Sequence, residues 1–142
     1  MIVILQDNSK AEVPARTPQM RRAMRWLVGY WLLLVTLTHW PSPWPNVHEP
    51  KYLDKVVHFS FYCVLSSLAL NALALRMATA PGVARCLAVL VGLVAFGLLD
   101  EATQPLTHRD FDWFDWLADS LGALAGVAAY NYWRPRGRMS SS

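Results

Sequence analysis

Residues 100–126 read DEATQPLTHRDFDWFDWLADSLGALAG. The stretch sets six carboxylates, Asp100, Glu101, Asp110, Asp112, Asp115 and Asp119, where two apolar segments otherwise fit for lipid meet. An Asp well inside a membrane helix costs roughly 2.5–3.5 kcal/mol on insertion scales, so such groups face a protein interior or a wet cavity. Asp112, Asp115, Asp119, Gly122 and Gly126 follow at intervals of three, four, three and four, which puts all five on one stripe of a helix. Trp113, Phe114, Trp116, Leu121 and Leu124 take the other faces. An acidic stripe that runs into a stripe of glycines predicts a helix that lines a polar space at one end and packs closely on a neighbour at the other.

The rest of the chain supplies three more segments of that kind. With 142 residues, 54% of them hydrophobic and 16% charged, it is one domain of the membrane class. The charges lie in blocks, and the apolar runs between them approach the ~20 residues that cross a bilayer as a helix. The first run is Trp26–Trp40, or Ala23–Trp40 with the snorkelling end of Arg25 included. Before it lies a basic tail in which Pro14 and Pro18 break any regular element. PSPWP, residues 41–45, ends the run in an extended connection, with Trp40 and Trp44 at the headgroup level and His39 and His48 as solvated or capping histidines. The second span starts near Pro50 and reaches Arg76. Asn71 is its lone polar residue in apolar surroundings, suited to an interhelical hydrogen bond, while Ser66 and Ser67 call for no special role. Residues 76–85, with Pro81 and Gly82, form a hairpin. The third span runs from Val83 through Leu99 to a stop at Gln104 ahead of Pro105, and Thr107 with Asp110 is the expected cap of the fourth. That span closes on Tyr130, Tyr132 and Trp133.

Other classes fit poorly. Cys63 sits inside an apolar run and Cys86 opens another, which suits buried thiols rather than a disulfide framework, and no CxxC zinc spacing is present. Met1–Leu5 is too short for the core of a secretory signal. The basic tail abuts the first apolar run and reads as a membrane anchor rather than a nucleic-acid contact.

Basic residues set the expected orientation. Lys10, Arg16, Arg21, Arg22, Arg25, Arg76, Arg85, Arg134, Arg136 and Arg138 lie on one side of the four spans; only Lys51, Lys55 and Arg109 lie on the other. The positive-inside rule then places both termini in the cytoplasm. The expected architecture is an all-α membrane protein, an antiparallel bundle of four transmembrane helices over residues 23–133 with basic tails at 1–22 and 134–142. Asp54 and His58, four apart on one face of the second helix, then meet Glu101 and Gln104 from the third and Arg109, Asp115 and Asp119 from the fourth at one outward-facing level. Gly97 shares the face of Glu101 and Gln104 and permits close approach.

Around Arg109 the six acids leave a formal excess of five negative charges. Either some carboxylates share protons or a cation sits among them. Asp110 and Asp112, in a first helical turn, also gain from the helix dipole. As a catalytic set the group provides His58 as a titratable residue, Glu101 or Asp115 as acid or base, and Arg109 to hold a phosphate or carboxylate. No organic cofactor is called for, and if a divalent cation is held, oxygen donors with one imidazole favour Mg, Mn or Ca over copper.

Three blocks in order carry a resemblance: D-K-x-x-H-F-x-x-Y (Asp54, Lys55, His58, Phe59, Tyr62), D-E-x-x-Q (Asp100, Glu101, Gln104) and R-x5-D-x3-D-x2-G-x3-G (Arg109, Asp115, Asp119, Gly122, Gly126). Over residues 26–133 the chain resembles the VanZ-like family of small bacterial membrane proteins, named for a protein associated with teicoplanin resistance. The family often has Asn or Asp where Asp119 stands, and commonly Gly where this chain has His108. The resemblance implies a four-helix membrane domain and supplies no reaction. Together these readings predict a multi-pass protein of the bacterial cytoplasmic membrane. Its partners are the lipid bilayer and a lipid-linked or peptidoglycan-derived ligand, with no nucleic acid, and glycopeptide tolerance is the expected consequence. Two other readings compete: a non-catalytic subunit in which the polar groups lock helices together, and a proton or cation pathway through Asp119.

Overall fold

The computed structural model describes residues 18–40, 51–107 and 109–134. Residues 1–17 and 135–142 of the expected tails, Arg136 and Arg138 included, the connection holding Trp44 and His48, and His108 lie outside the described residues, as does the side chain of Lys51. Four helices follow in order: α1 Pro18–Thr38, α2 Lys51–Met77, α3 Val83–Thr103 and α4 Trp113–Trp133.

The local chemistry explains most of these limits. Pro18 opens α1 instead of breaking it, because a missing N–H costs nothing at the first helical position; α1 therefore starts five residues before Ala23. It ends at Thr38, just ahead of His39, Trp40 and Pro41. Ala78, in the left-handed conformation at φ 54°, ends α2 where glycine is the usual residue. Gly82 caps α3 with no side-chain hydrogen bond. Pro105 does not end the third span at Gln104 outright: the chain tightens into a 3₁₀ turn over Gln104–Thr107, and the N–H of Gln104 bonds the carbonyls of Asp100 and Glu101. Gln104 thus stays helical, on the same face as Glu101.

The start of α4 differs from expectation. Thr107 is not its cap, since its hydroxyl donates to the Gln104 carbonyl and closes the 3₁₀ turn. Asp112 is the N-cap, accepting from the Phe114 N–H at 2.8 Å, with Asp115 three residues on. Asp110 lies before the helix and is exposed, so only Asp112 and Asp115 gain from the helix N-terminus.

Helix α2 is the centre of the bundle, packing most extensively on α4 and also on α1 and α3; α4 also packs on α3. Gly122 and Gly126 set the α2–α4 approach, because a Cβ at Gly122 would fall on the Phe59 carbonyl and one at Gly126 on the Cys63 carbonyl and the Ser66 hydroxyl. Ser66 and Ser67 of α2 bridge this contact. Ser66 donates to the Ala123 carbonyl at 2.9 Å and Ser67 to the Gly126 carbonyl at 3.1 Å. Asn71 makes no such bridge: it is exposed beside a groove between the ends of α2 and α4. Leu34, Tyr62, Leu65 and Ala123 form the buried core, with Phe96 stacked on Tyr62 and Trp116 donating across α4–α3 to the Val94 carbonyl.

The outside of the bundle is apolar. Trp26, Leu32, Leu33, Val56, Leu87, Val91, Leu99, Leu121 and Leu124 are exposed, whereas His58, Ser66, Asp100, Glu101, Gln104, Asp115 and Asp119 are buried. This inverts the arrangement that water selects and suits a lipid exterior. Residues 52–77 and 83–107 are long and apolar enough to cross a membrane. Those two stretches alone, among the described residues, combine the length with the composition; α1 and α4, at 21 residues or about 31 Å, are shorter and carry charged groups near one end.

Candidate functional site

At one end of the bundle, all four helices deliver polar side chains to a common level. Its floor is the pair His58 and Asp119, with Nδ1 to Oδ1 at 3.0 Å, on α2 and α4 respectively. Glu101 of α3 stands beside them, Oε1 lying 4.0 Å from the same Nδ1. Glu101 and Asp119 have no solvent exposure. Local structure fixes Glu101 from two sides: Gln104 donates to Oε1 at 2.6 Å, and the N–H of Asp112 donates to Oε2 at 3.2 Å. The second bond ties the start of α4 to α3. Behind the pair, Gly97 leaves room for both Asp119 and Tyr62, since a Cβ there would lie 3.3 Å from Asp119 Oδ2 and from the Tyr62 hydroxyl.

Above this floor runs a more exposed rim. Lys55 donates to Asp115 Oδ1 at 2.7 Å and to Asp112 Oδ2 at 2.8 Å, so one ammonium joins α2 to two carboxylates of α4. Asp54 stands 4.0 Å from His58 Nε2 and 3.7 Å from Arg109 Nη2. Arg109 also donates from Nη1 to the Thr38 carbonyl, at the end of α1. The seven residues singled out in the sequence, Asp54, His58, Glu101, Gln104, Arg109, Asp115 and Asp119, therefore come together. Asp110 does not join them.

Sequence reasoning misses the contribution of α1. Thr38 donates to Asp100 Oδ1 at 3.2 Å, His39 Nδ1 lies 3.6 Å from the same oxygen, and His39 Nε2 shares a hydrogen bond of 2.9 Å with Thr103. His39 is thus not a solvated histidine: its Nδ1 lies 3.1 Å from the Val35 carbonyl at the end of α1, as a capping residue would, and its ring also meets α3. The topology holds the signal, because a helix that ends at the level where α2 begins must bring its last polar residues to that level.

Chemically the cluster has two layers: a buried one of Asp100, Glu101, Asp119 and His58, and a rim in which Lys55 and Arg109 carry positive charge. His58, Glu101 and Asp119 each offer a ligand atom within a mutual 4.8 Å, as do Asp54, His58 and Asp115. The first group draws one donor from each of α2, α3 and α4.

Against this geometry, the comparison with protein families is specific: the model described as VanZ/LLP1 matches residues 1–134. The chain belongs to the VanZ/LLP1 family. The match spans all four helices and therefore the whole cluster, together with the start of α1 that the resemblance over residues 26–133 leaves out. Comparison with curated proteins and with solved structures found no match. For this VanZ/LLP1 chain, roles for the polar residues thus have to come from their chemistry.

Proposed function

We propose that the chain is a four-span protein of the bacterial cytoplasmic membrane with both termini inside, and that its polar cluster faces outward to bind or modify a cell-envelope component. The ligand is lipid-linked or peptidoglycan-derived, and glycopeptide tolerance, teicoplanin included, follows from altering it. One observation carries this reading: the charge is bipolar along the bundle. Arg21, Arg22, Arg25, Arg76, Arg85 and Arg134 lie at the end where α1 begins and α4 finishes, and the buried acids with Arg109 lie at the other. Helix termini alone account for polar groups at both ends but not for a set of buried carboxylates at one. The mouth has the chemistry for a phosphate-bearing headgroup. Arg109 presents a planar donor set there, and the apolar flanks of α2 and α3 would leave the attached chain in lipid.

Two experiments test it. In a chain freed of Cys63 and Cys86, single cysteines at 48, 102 and 107 should react with an impermeant reagent in intact cells, and those at 79 and 137 should not. The reverse pattern would remove the envelope ligand. In cells that depend on the protein for teicoplanin tolerance, joint replacement of Glu101, Arg109 and Asp115 by Gln, Gln and Asn should abolish tolerance at unchanged membrane abundance. Lys55 keeps Asp112 as partner in that variant, so one tie between α2 and the start of α4 remains. Tolerance equal to wild type sinks the site.

The Lys55 bridge favours a second reading, in which the cluster is an interhelical lock of a non-catalytic subunit. That reading predicts that Asp115→Asn chiefly lowers yield and melting temperature.

A further inference from the structure

The buried layer is short of positive charge. Asp100, Glu101 and Asp119 are each at most 3% exposed, yet Lys55 is committed to Asp112 and Asp115, and the carboxylate with which Arg109 pairs among the described residues is Asp54, at 3.7 Å. His39 serves Asp100 from the side, which leaves His58 alone between Glu101 and Asp119. Asp119 Oδ2, Asp100 Oδ2 and the Tyr62 hydroxyl are buried with no hydrogen-bond partner. A buried carboxylate oxygen without a donor costs several kcal/mol in the ionised form, so the layer calls for either shared protons or a cation.

We propose that His58, Glu101 and Asp119 bind one divalent cation of the magnesium or manganese class. The separations fit. With bonds of about 2.1 Å, adjacent ligands of an octahedral ion lie ~3.0 Å apart and opposite ones ~4.2 Å apart. His58 Nδ1 is 3.0 Å from Asp119 Oδ1 and 4.0 Å from Glu101 Oε1. The surroundings fit as well: Gln104 and the Asp112 N–H orient Glu101, and Asp54 stands off His58 Nε2, where it would favour the tautomer that leaves Nδ1 free for the ion. The alternative group of Asp54, His58 and Asp115 is the poorer site, because Asp115 is spent on Lys55. Two carboxylates and one imidazole suit a hard ion that keeps positions for water or a phosphate oxygen. This deepens the envelope-ligand reading, on which it rests only for what the ion would do: bridge to a phosphate alongside Arg109.

The test uses the full chain in detergent, stripped with EDTA and titrated with Mn²⁺ while free ion is followed by electron paramagnetic resonance. Wild type should take up about one ion per chain, displaced by Mg²⁺, and Glu101→Gln and Asp119→Asn should each weaken uptake at least ~10-fold. Asp110→Asn, at an exposed position, should bind as wild type does. No uptake by folded wild type, or equal uptake by the two variants, overturns the site. If the variants do not fold, bound Mn²⁺ in wild type must show coupling to an imidazole nitrogen, and its absence is equally fatal. The two readings fail separately. Uptake with unchanged tolerance in the Glu101, Arg109 and Asp115 variant removes the envelope role and keeps the ion; lost tolerance without uptake does the opposite.

Discussion

Gly126→Val should remove most of the folded protein. A Cβ at this position meets the Cys63 carbonyl and the Ser66 hydroxyl, and a carbonyl fixed in a helix cannot rotate away as a side chain could. Relief requires α4 to move off α2 along their main contact, which would also break the bonds from Ser66 to Ala123 and from Ser67 to Gly126. Overpacking in a well-packed interior costs about 1–3 kcal/mol when side chains can adjust, so a backbone collision belongs at or above the upper end. Set against a total stability of roughly 5–15 kcal/mol, a loss beyond that upper end leaves little margin at the low end of the range, and yield in a membrane extract falls with it. Gly92 is the control, since nothing lies within 4 Å of a Cβ built there and Gly92→Val should melt as wild type does. The check is yield and monodispersity in detergent with a thermal melt on each variant. A Gly126→Val protein as abundant and as stable as Gly92→Val would mean that α2 and α4 do not approach at these glycines.

That contact is legible in the amino-acid sequence, because a four-then-three rhythm of Asp and Gly admits few arrangements: small residues go where backbones meet, and carboxylates go where lipid does not. The same logic brings Asp54, His58, Glu101 and Asp119 to one level, since antiparallel helices joined by short connections stack their ends. The failures have a common cause as well. Thr107, Asp110 and Asp112 are all residue types that cap helices, and choosing among them depends on how Pro105 reshapes the preceding turn. Pro18 is ambiguous in the same way, a breaker inside a helix and a favoured opener at its first position. Thr38 and His39 escape a sequence reading because their partner Asp100 is 61 or 62 residues away, and no local pattern announces a contact of that range. Asn71 shows the reverse error: a polar residue in an apolar run suggests a partner, but it lies on the exposed side, at the end of the helix where the groove opens.

Lys55→Met should cost less than Gly126→Val but bears more directly on function. Methionine keeps the length of the lysine stem and removes the charge, so Asp115, whose side chain is 8% exposed, loses its close cationic partner at 2.7 Å. Breaking a fully buried pair costs about 3–5 kcal/mol. Here Lys55 is 28% exposed and Asp112 40%, so solvent screens part of the interaction and roughly 2 kcal/mol is the expected loss. Adding Asp115→Asn should recover much of that loss, because the stranded charge is then gone and the amide can still hydrogen bond. The double-mutant cycle over Lys55 and Asp115 is therefore expected to be strongly non-additive, read as melting temperatures in detergent. Additive losses would mean that the two side chains do not share an ion pair. The repaired double variant then separates the two functional readings. A lock that has been rebuilt with neutral groups should serve as well as the native one, and cells would keep their envelope phenotype. A site that needs the charges of the rim should lose that phenotype even though the bundle is intact, because the cationic nitrogen beside Arg109 has gone while the helices still meet.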